Sequence, residues 1–229
     1  MSDLFLALNL FSDINIFKKK ALNAKGKYTI CYFPLVGVIV GTALVFWYML
    51  LSILGLGIFA GIGLPVIIVL ITGKKHLWAL LEHFGSVGGT VLYLVFSMVM
   101  LIHISLSDVL VVAGVFVISR VMSVFLFIDC DYIEEGTYQK LTEKARKVVV
   151  SVITVVWLMA TVAYIEMISL KYFIVLLISF FVIYFIFAKR AKAKSSLTDY
   201  DISMFIIISE AVALFEISLG RFIPVLINM

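Results

Sequence analysis

The sequence contains few charged residues. Only 14% of its 229 residues are Asp, Glu, Lys or Arg, whereas a typical soluble domain has about 25%. Apolar residues make up 64% of the chain, and the mean hydropathy is +1.19. This composition excludes an ordinary soluble domain and predicts an integral membrane protein with most of its length in lipid.

Cysteine is also scarce. Cys31 and Cys130 provide neither a disulfide framework nor a metal-ligand spacing. The chain starts with the acidic segment MSDLF, and no small-residue cleavage site follows a short apolar core, so we expect no signal peptide. The net charge of +4 does not indicate a nucleic-acid partner, because the cations are distributed by membrane topology.

Long apolar runs fill most of the chain, and they predict an all-α, polytopic membrane helix bundle. A helix needs about 20 apolar residues to cross a bilayer. We predict about seven transmembrane helices in one integral membrane domain, residues 1–229, in contact with the lipid bilayer. A Gly-rich turn divides the first run into two helices, and an amphipathic helix precedes it, LFLALNLFSDINIF. The runs are Tyr32 to Gly73 (two helices), Val87–Ile104, Asp108–Ile128, Val148–Ser169, Tyr172–Ala188 and Ile202–Leu226.

The basic residues predict the orientation. If the N-terminus is cytoplasmic, about fifteen of the eighteen Lys and Arg residues lie on the cytoplasmic side. We therefore predict a multi-pass protein of the cell (inner) membrane, with its N-terminus inside and its C-terminus outside. The longer polar loops, at about 74–86, 129–147 and 189–201, would all face the cytoplasm. The fifteen residues are Lys18, Lys19, Lys20, Lys25, Lys27, Lys74, Lys75, Lys140, Lys144, Arg146, Lys147, Lys189, Arg190, Lys192 and Lys194.

Two opposite charges lie inside predicted spans at matching depth. Arg120 and Glu210 are each about eight residues, or about 12 Å, from the cytoplasmic end of their span. Isolated charges at this depth cost at least a few kcal/mol each. We therefore predict that the two side chains meet. They form either an ion pair that fixes helix packing or the floor of a polar substrate cavity, and the sequence favours neither interpretation.

The first cytoplasmic loop, ITGKKHLWALLEHFGS, contains His76, Glu82 and His83. Its leucines recur with helical spacing, which predicts an amphipathic helix at the membrane surface. The two histidines lie two turns apart, about 10.5 Å along a helix, which is too far for them to share one ion easily.

The other two loops combine acidic and basic residues. DCDYIEEG places Asp129 and Asp131 at the end of a span, where carboxylates can bind a hard cation. KRAKAKSSLTDYD contains the cations Lys189 and Arg190, which can bind phosphate or an anionic lipid surface. Both loops can equally be solvated ends of helices.

Together these segments resemble the cobalamin synthase family, the adenosylcobinamide-GDP ribazoletransferases. FPLVGVIVG, from Phe33 to Gly41, resembles the start of the family's first span most closely. ITGKKHL resembles the segment before its first acidic motif, and ISRVM and EEG resemble its central arginine and the loop after it. SSLTDYDISMFIIISEAVALF resembles its last loop and span, with Thr198 and Glu210 in register.

The resemblance implies a Mg²⁺-dependent phosphotransferase of vitamin B12 assembly. Its substrates would be a GDP-activated corrinoid and α-ribazole or its phosphate, and it would release GMP. We assign catalysis to Arg120, Thr198 and Glu210, and substrate binding to His76, Lys189 and Arg190. The metal candidates are Glu82, Asp129, Asp131, Asp199 and Asp201.

The chain also departs from the family pattern. Where the family has an Asp-rich motif, this chain has Trp78, Ala79, Glu82 and Gly85, and about 25 residues are missing before the next span. Whether the chain is a competent enzyme therefore stays open. A catalytically inactive paralogue that binds a corrinoid, a nucleotide or a partner protein is the alternative. A small transporter is the second alternative, because charges within spans can mark transport routes. A homo-oligomer is neither predicted nor excluded.

Overall fold

The computed structural model describes residues 3–4, 6–7, 28–72, 87–102, 104–130 and 146–227. Within these residues the secondary structure is helical, without strands, so the all-α prediction is confirmed. A 3₁₀ turn at Thr29–Tyr32 leads into the first of seven α-helices. The helices are α1 (Phe33–Ile53), α2 (Gly57–Thr72), α3 (Val87–Met100), α4 (Leu106–Asp129), α5 (Lys147–Ile168), α6 (Leu170–Lys194) and α7 (Asp199–Ile227).

Five of the described helices, namely α1, α4, α5, α6 and α7, are long and apolar enough to cross a membrane. Helices α2 and α3 have 16 and 14 residues, fewer than the roughly 20 that a full span needs. The segment between these two helices lies outside the described residues, as does most of the predicted N-terminal amphipathic helix. The structure therefore confirms a multi-pass bundle, whereas the assignment of one domain to residues 1–229 stays a prediction.

Helix α4 forms the centre of the bundle and packs against α1, α5, α6 and α7. In its most apolar stretch 89% of the residues are buried, against 22% in α5. The outer helices instead expose large apolar side chains such as Ile53 and Met167, as a helix in contact with lipid does. The central position of α4 allows a charged residue on this helix to avoid the lipid.

The boundaries of the central helices follow from local hydrogen bonds. At the start of α4, Ser105 Oγ accepts from the Asp108 N–H at 3.2 Å, and Asp108 Oδ2 accepts from the Ser105 N–H at 3.3 Å. This reciprocal capping box satisfies two N–H groups that the helix leaves open. Between α1 and α2, Gly55 has a φ of 71°, which glycine adopts without a steric penalty. From the sequence we expected Gly57, Gly61, Gly63 and Pro65 in the same Gly-rich turn, but they lie within α2.

Helices α1 and α4 run antiparallel, and so do α6 and α7, which places several helix ends at one end of the bundle. Gly37 of α1 lies against the Phe116 backbone of α4, and Gly41 lies against Ala113. In the same way, Tyr172 at the start of α6 donates to the Ile217 carbonyl near the end of α7. The start of α1, the end of α4, the end of α6 and the start of α7 therefore share one end. The candidate residues of the 129–147 and 189–201 loops that the structure describes lie at this end.

The contact between α1 and α4 depends on the absence of a side chain at Gly37. A Cβ there would lie 2.3 Å from the Phe116 carbonyl oxygen and 2.8 Å from the Val117 Cα, both backbone atoms. We expect Gly37→Ala to destabilise the protein by about 1–3 kcal/mol, because the helices must separate. Thermal unfolding in detergent measures the change, with exposed Thr42→Val as the control on the same helix. An unchanged unfolding temperature in Gly37→Ala would show that the two helices pack differently.

Candidate functional site

A polar centre made by Ser119, Arg120 and Glu210 lies between α4 and α7. Arg120 Nη1 donates to Glu210 Oε1 at 2.8 Å, and Ser119 Oγ donates to the same oxygen at 3.0 Å. The Arg120 side chain is 0% exposed and that of Glu210 is 4% exposed. The predicted meeting of the two charges is therefore confirmed. Their assignment as catalytic residues stays a prediction.

The surroundings of Arg120 compensate part of its burial. Its Nη1 also donates to the Phe116 carbonyl oxygen at 2.6 Å and to Ser119 Oγ at 3.2 Å. The guanidinium carbon lies 5.6 Å from the centre of the Phe116 ring, which is within range of a cation–π contact. All of these groups are on α4 itself, within about one turn of the arginine, so α4 supplies the described acceptors of Arg120 other than Glu210 Oε1.

Tyr93 of α3 completes the surroundings of the polar centre. Its side chain is buried against Ile207 of α7 and lies within electrostatic range of Glu210 and Arg120. Tyr93 thus brings α3 close to the polar centre. Sequence analysis missed Ser119 and Tyr93. A serine directly beside the one arginine of an apolar run was a readable signal for Ser119, whereas the Tyr93 position depends on how α3 is rotated.

Thr198 and Asp201 cap the start of α7. The Thr198 hydroxyl donates to Asp201 Oδ2 at 2.8 Å and accepts from the Asp201 N–H at 3.0 Å, and Lys194 Nζ lies 3.4 Å from Asp201 Oδ1. Asp201 is buried, and both of its carboxylate oxygens are engaged. These contacts are typical of a capping box. They give Thr198 and Asp201 a structural function that does not require catalysis or a metal.

The remaining described candidates lie around the same end of the bundle. Asp129, the exposed last residue of α4, accepts a hydrogen bond from the Tyr184 hydroxyl of α6. Lys189 and Arg190 are exposed near the end of α6, and Asp199 is the half-buried first residue of α7. His76, Glu82 and Asp131 lie outside the described residues. Sequence analysis did not find Tyr184, because its distance from Asp129 in the chain, 55 residues, gives no local signal.

The described residues do not form a complete metal site by themselves. Within it, no three His, Cys, Asp or Glu residues lie close enough to hold a metal ion together. Carboxylate oxygens are the ligands that Mg²⁺ prefers, so Asp129 and Asp199 fit the ion by their chemistry. Asp201 fits less well, because an ion would have to displace its cap and its lysine. The predicted metal set therefore stays a prediction that includes Glu82 and Asp131.

A half-buried carboxylate, Glu216, lies further along α7. It accepts a hydrogen bond from the Ser179 hydroxyl of α6. Arg221 lies five residues further along the chain, but its side chain lies outside the described part of the structure. Glu216 thus links α6 to α7 and is separate from the pair formed by Arg120 and Glu210.

Comparison with known proteins identifies one related family. Residues 3–81, about a third of the chain, match the family model of Cobalamin-5-phosphate synthase. No curated protein and no solved structure matches the chain. The matched part includes α1 and α2 and ends before Glu82. The resemblance of the segments around Arg120, Thr198 and Glu210 therefore rests on the sequence motifs alone.

The contact between Arg120 and Glu210 can be tested by a double-mutant cycle. Removing one member of a buried pair leaves the other charge uncompensated, so we expect Arg120→Met or Glu210→Met alone to cost about 3–5 kcal/mol. Arg120→Met combined with Glu210→Met should cost clearly less than the sum of two single substitutions. Unfolding free energies in detergent give the comparison, and Ser218→Ala, a buried serine on α7, serves as the control. Additive costs would show that the two side chains do not interact.

Proposed function

Since the match over residues 3–81 supports membership of the cobalamin synthase family, we propose that the chain is a membrane phosphotransferase of cobalamin biosynthesis. It would join α-ribazole or its phosphate to a GDP-activated corrinoid at the cytoplasmic face and release GMP. The family match is the observation that carries this proposal. The match also supports the broader statement that the chain functions in cobalamin biosynthesis.

The reaction exchanges one phosphorus–oxygen bond for another. The nucleophile is an oxygen atom of α-ribazole or of α-ribazole phosphate. It attacks the phosphorus of the diphosphate that is bonded to the corrinoid side. The bond from that phosphorus to the GMP oxygen breaks, and GMP leaves with the electron pair. Negative charge develops on the phosphate oxygens, so the site needs cations and a base for the proton of a hydroxyl nucleophile.

Helix ends at one end of the bundle supply suitable groups. The exposed Lys189 and Arg190 can bind the diphosphate, and Asp129 and Asp199 are carboxylates at the same end. A bound Mg²⁺ would neutralise charge on the diphosphate, and these two aspartates, with Glu82 and Asp131, are the residues that would hold it. The buried Arg120 and Glu210 lie about 13–17 Å deeper along their helices, nine and eleven residues from Asp129 and Asp199. A diphosphate at the surface would therefore not reach them.

A catalytically inactive paralogue is the second candidate. One observation favours it: Thr198 and Asp201 are engaged in a helix cap. Such a protein would keep the bundle and bind a corrinoid, a nucleotide or a partner protein without transferring a group. Transport is a further alternative. Cation flux through the protein in liposomes would favour it, provided that Glu210→Gln abolishes the flux.

GMP release distinguishes the enzyme from the paralogue. With adenosylcobinamide-GDP, α-ribazole and Mg²⁺, we expect the purified protein in detergent to release GMP, and EDTA to abolish the release. Asp199→Asn and Asp131→Asn should each reduce the rate at least about tenfold, because each removes a candidate ligand charge. Glu166→Gln, an exposed carboxylate at the opposite end of the bundle, serves as the matched control. Intact binding of the corrinoid nucleotide without GMP release would contradict the enzyme and identify the paralogue.

We also propose that the protein lies in the cell (inner) membrane with its N-terminus in the cytoplasm and its C-terminus outside. The distribution of Lys and Arg supports this orientation. An impermeant maleimide should label Met167→Cys in intact cells and Ala193→Cys only after permeabilisation, because exposed residues 167 and 193 lie at opposite ends of the bundle. Cys31 and Cys130 are buried, so their background should be low. Labelling of Ala193→Cys from outside would reverse the orientation.

A further inference from the structure

A groove lies between α1 and α5, and α4, against which both helices pack, forms its floor. Its volume is about 360 Å³. Small residues on all three helices create this space, among them Gly41, Gly114 and Ala160. Ala160 is exposed, so the groove is open to the outside of the bundle. Along α1 it extends from Val38 to Val45, which is about 10 Å at 1.5 Å per residue.

The lining of the groove favours an apolar occupant. Thr161 Oγ1 donates to the Trp157 carbonyl oxygen at 2.8 Å. The Tyr164 hydroxyl donates to the Leu110 carbonyl oxygen at 3.1 Å. The other lining groups are apolar, apart from Thr42 and the indole N–H of Trp157. A bound water needs two to four polar partners, and an apolar cavity stays dry. Because all three helices are apolar enough to cross a membrane, hydrocarbon is the medium that fills this groove.

The size of the groove distinguishes a lipid chain from a helix. An apolar cavity of about 150 Å³ binds benzene, which has six carbon atoms, so 360 Å³ has room for about a dozen carbons. A helix about 10 Å wide would occupy about 800 Å³ over the same 10 Å of length. That is more than twice the volume of the groove. The groove therefore fits a segment of an acyl chain and is too small for a helix of a second copy.

A positive charge lies at the distance that a phospholipid headgroup requires. Arg146 and Lys147 are exposed at the start of α5, at the end of the bundle where α4 ends. Helical spacing places Arg146 on the same face of α5 as Trp157 and Ala160. Trp157 is about 16 Å from Arg146 along the helix axis. Since the hydrocarbon of one leaflet is about 15 Å thick, a lipid with its phosphate at Arg146 would place the end of its chain in the groove.

We propose that this groove is a binding site for an anionic phospholipid, whose phosphate lies at Arg146 and whose acyl chain lies on α4 between α1 and α5. The bound chain completes the packing of α5, whose most apolar stretch is only 22% buried within the protein. The lining residues are separate from the candidates for catalysis, substrate binding and metal binding. The inference therefore does not depend on the proposed reaction.

Quenching of tryptophan fluorescence by brominated lipids tests the site, because Trp157 lines the groove and bromine quenches on contact. The full chain in dodecyl maltoside is titrated with phosphatidylglycerol or with phosphatidylcholine, each brominated at the middle of its chains. The quenching that Trp157→Phe removes is the signal from the groove. We expect this signal to saturate. Phosphatidylglycerol should bind about fivefold more tightly, because one Arg near the membrane surface favours an anionic lipid by this factor.

Two pairs of variants test the chain and the headgroup separately. Ala160→Phe fills the groove and should weaken phosphatidylglycerol binding at least about tenfold, since it displaces several methylene groups. Its control is Ala163→Phe, at an exposed position of α5 outside the lining. Arg146→Gln should abolish the preference for phosphatidylglycerol over phosphatidylcholine. Lys192→Gln, which removes an exposed cation of α6 at the same end of the bundle, should retain it.

Native mass spectrometry of the unmodified protein avoids dependence on the folding of any variant. We expect one phosphatidylglycerol to stay bound when the detergent is removed, and a protein that retains no lipid would contradict the proposal.

Three further results would overturn the proposal. The first is quenching that rises in proportion to the lipid without saturation and equally for both lipids, as for ordinary boundary lipid. The second is binding that Ala160→Phe leaves unchanged. The third is a dimer in which Trp157 is protected from both lipids, since a second copy would then cover the groove. GMP release is measured independently, so failure of this site is distinguishable from failure of the transferase proposal.

Discussion

The structure depends on a positive charge buried in an apolar bundle. Arg120 has no access to solvent or lipid, so its charge must be balanced by the protein, and Glu210 is the acid that does so. This requirement fixes α7 against α4 at one rotation and one axial position. It also explains why α4 is the most buried of the candidate spans, since any lipid-facing position for Arg120 would cost several kcal/mol.

Close packing around α4 also keeps the charge of Arg120 away from lipid. Glycines at the faces of α1 and α4 allow close contacts: Gly37 lies against the backbone of α4, and Gly114 lies against the Ile165 side chain of α5. Hydroxyl groups inside the bundle mostly bond to carbonyls of their own helix, as Ser123 and Thr154 do. The polar content of the interior is therefore small, and it concentrates where α4 meets α7.

The sequence was sufficient for the broad architecture and for the central pair. Apolar runs predicted the helices, because an uncharged stretch of about 20 residues has few other stable forms. The equal depth of Arg120 and Glu210 in their spans predicted their contact, because a buried charge in a membrane is costly unless it has a partner of opposite charge. The capping boxes that start α4 and α7 were also readable, since Ser105 and Asp108, and likewise Thr198 and Asp201, have the required spacing of three.

Other contacts could not be predicted from the sequence, for a physical reason. The hydrogen bond from Tyr184 to Asp129 depends on the rotation of α6 about its axis. Hydropathy contains little information on rotation when a helix is apolar on every side, as these spans are. For the same reason the sequence did not show that α3 would bring Tyr93 to the polar centre. The sequence also did not show which acidic residues of the predicted metal site are available to a metal. Their spacing in the loops does not specify that Asp201 is engaged in a helix cap.

The separation of the central pair along the chain has a consequence for biogenesis. Glu210 is synthesised 90 residues after Arg120, which at about 5–20 residues per second corresponds to roughly 5–20 s. During that interval α4 has left the ribosome without its counter-ion, and entry into lipid would be unfavourable for its arginine. Insertion of α4 into lipid is therefore more favourable once α7 has supplied Glu210. Maturation of this protein thus depends on the synthesis of α7, because a chain truncated before α7 would lack the counter-ion of Arg120.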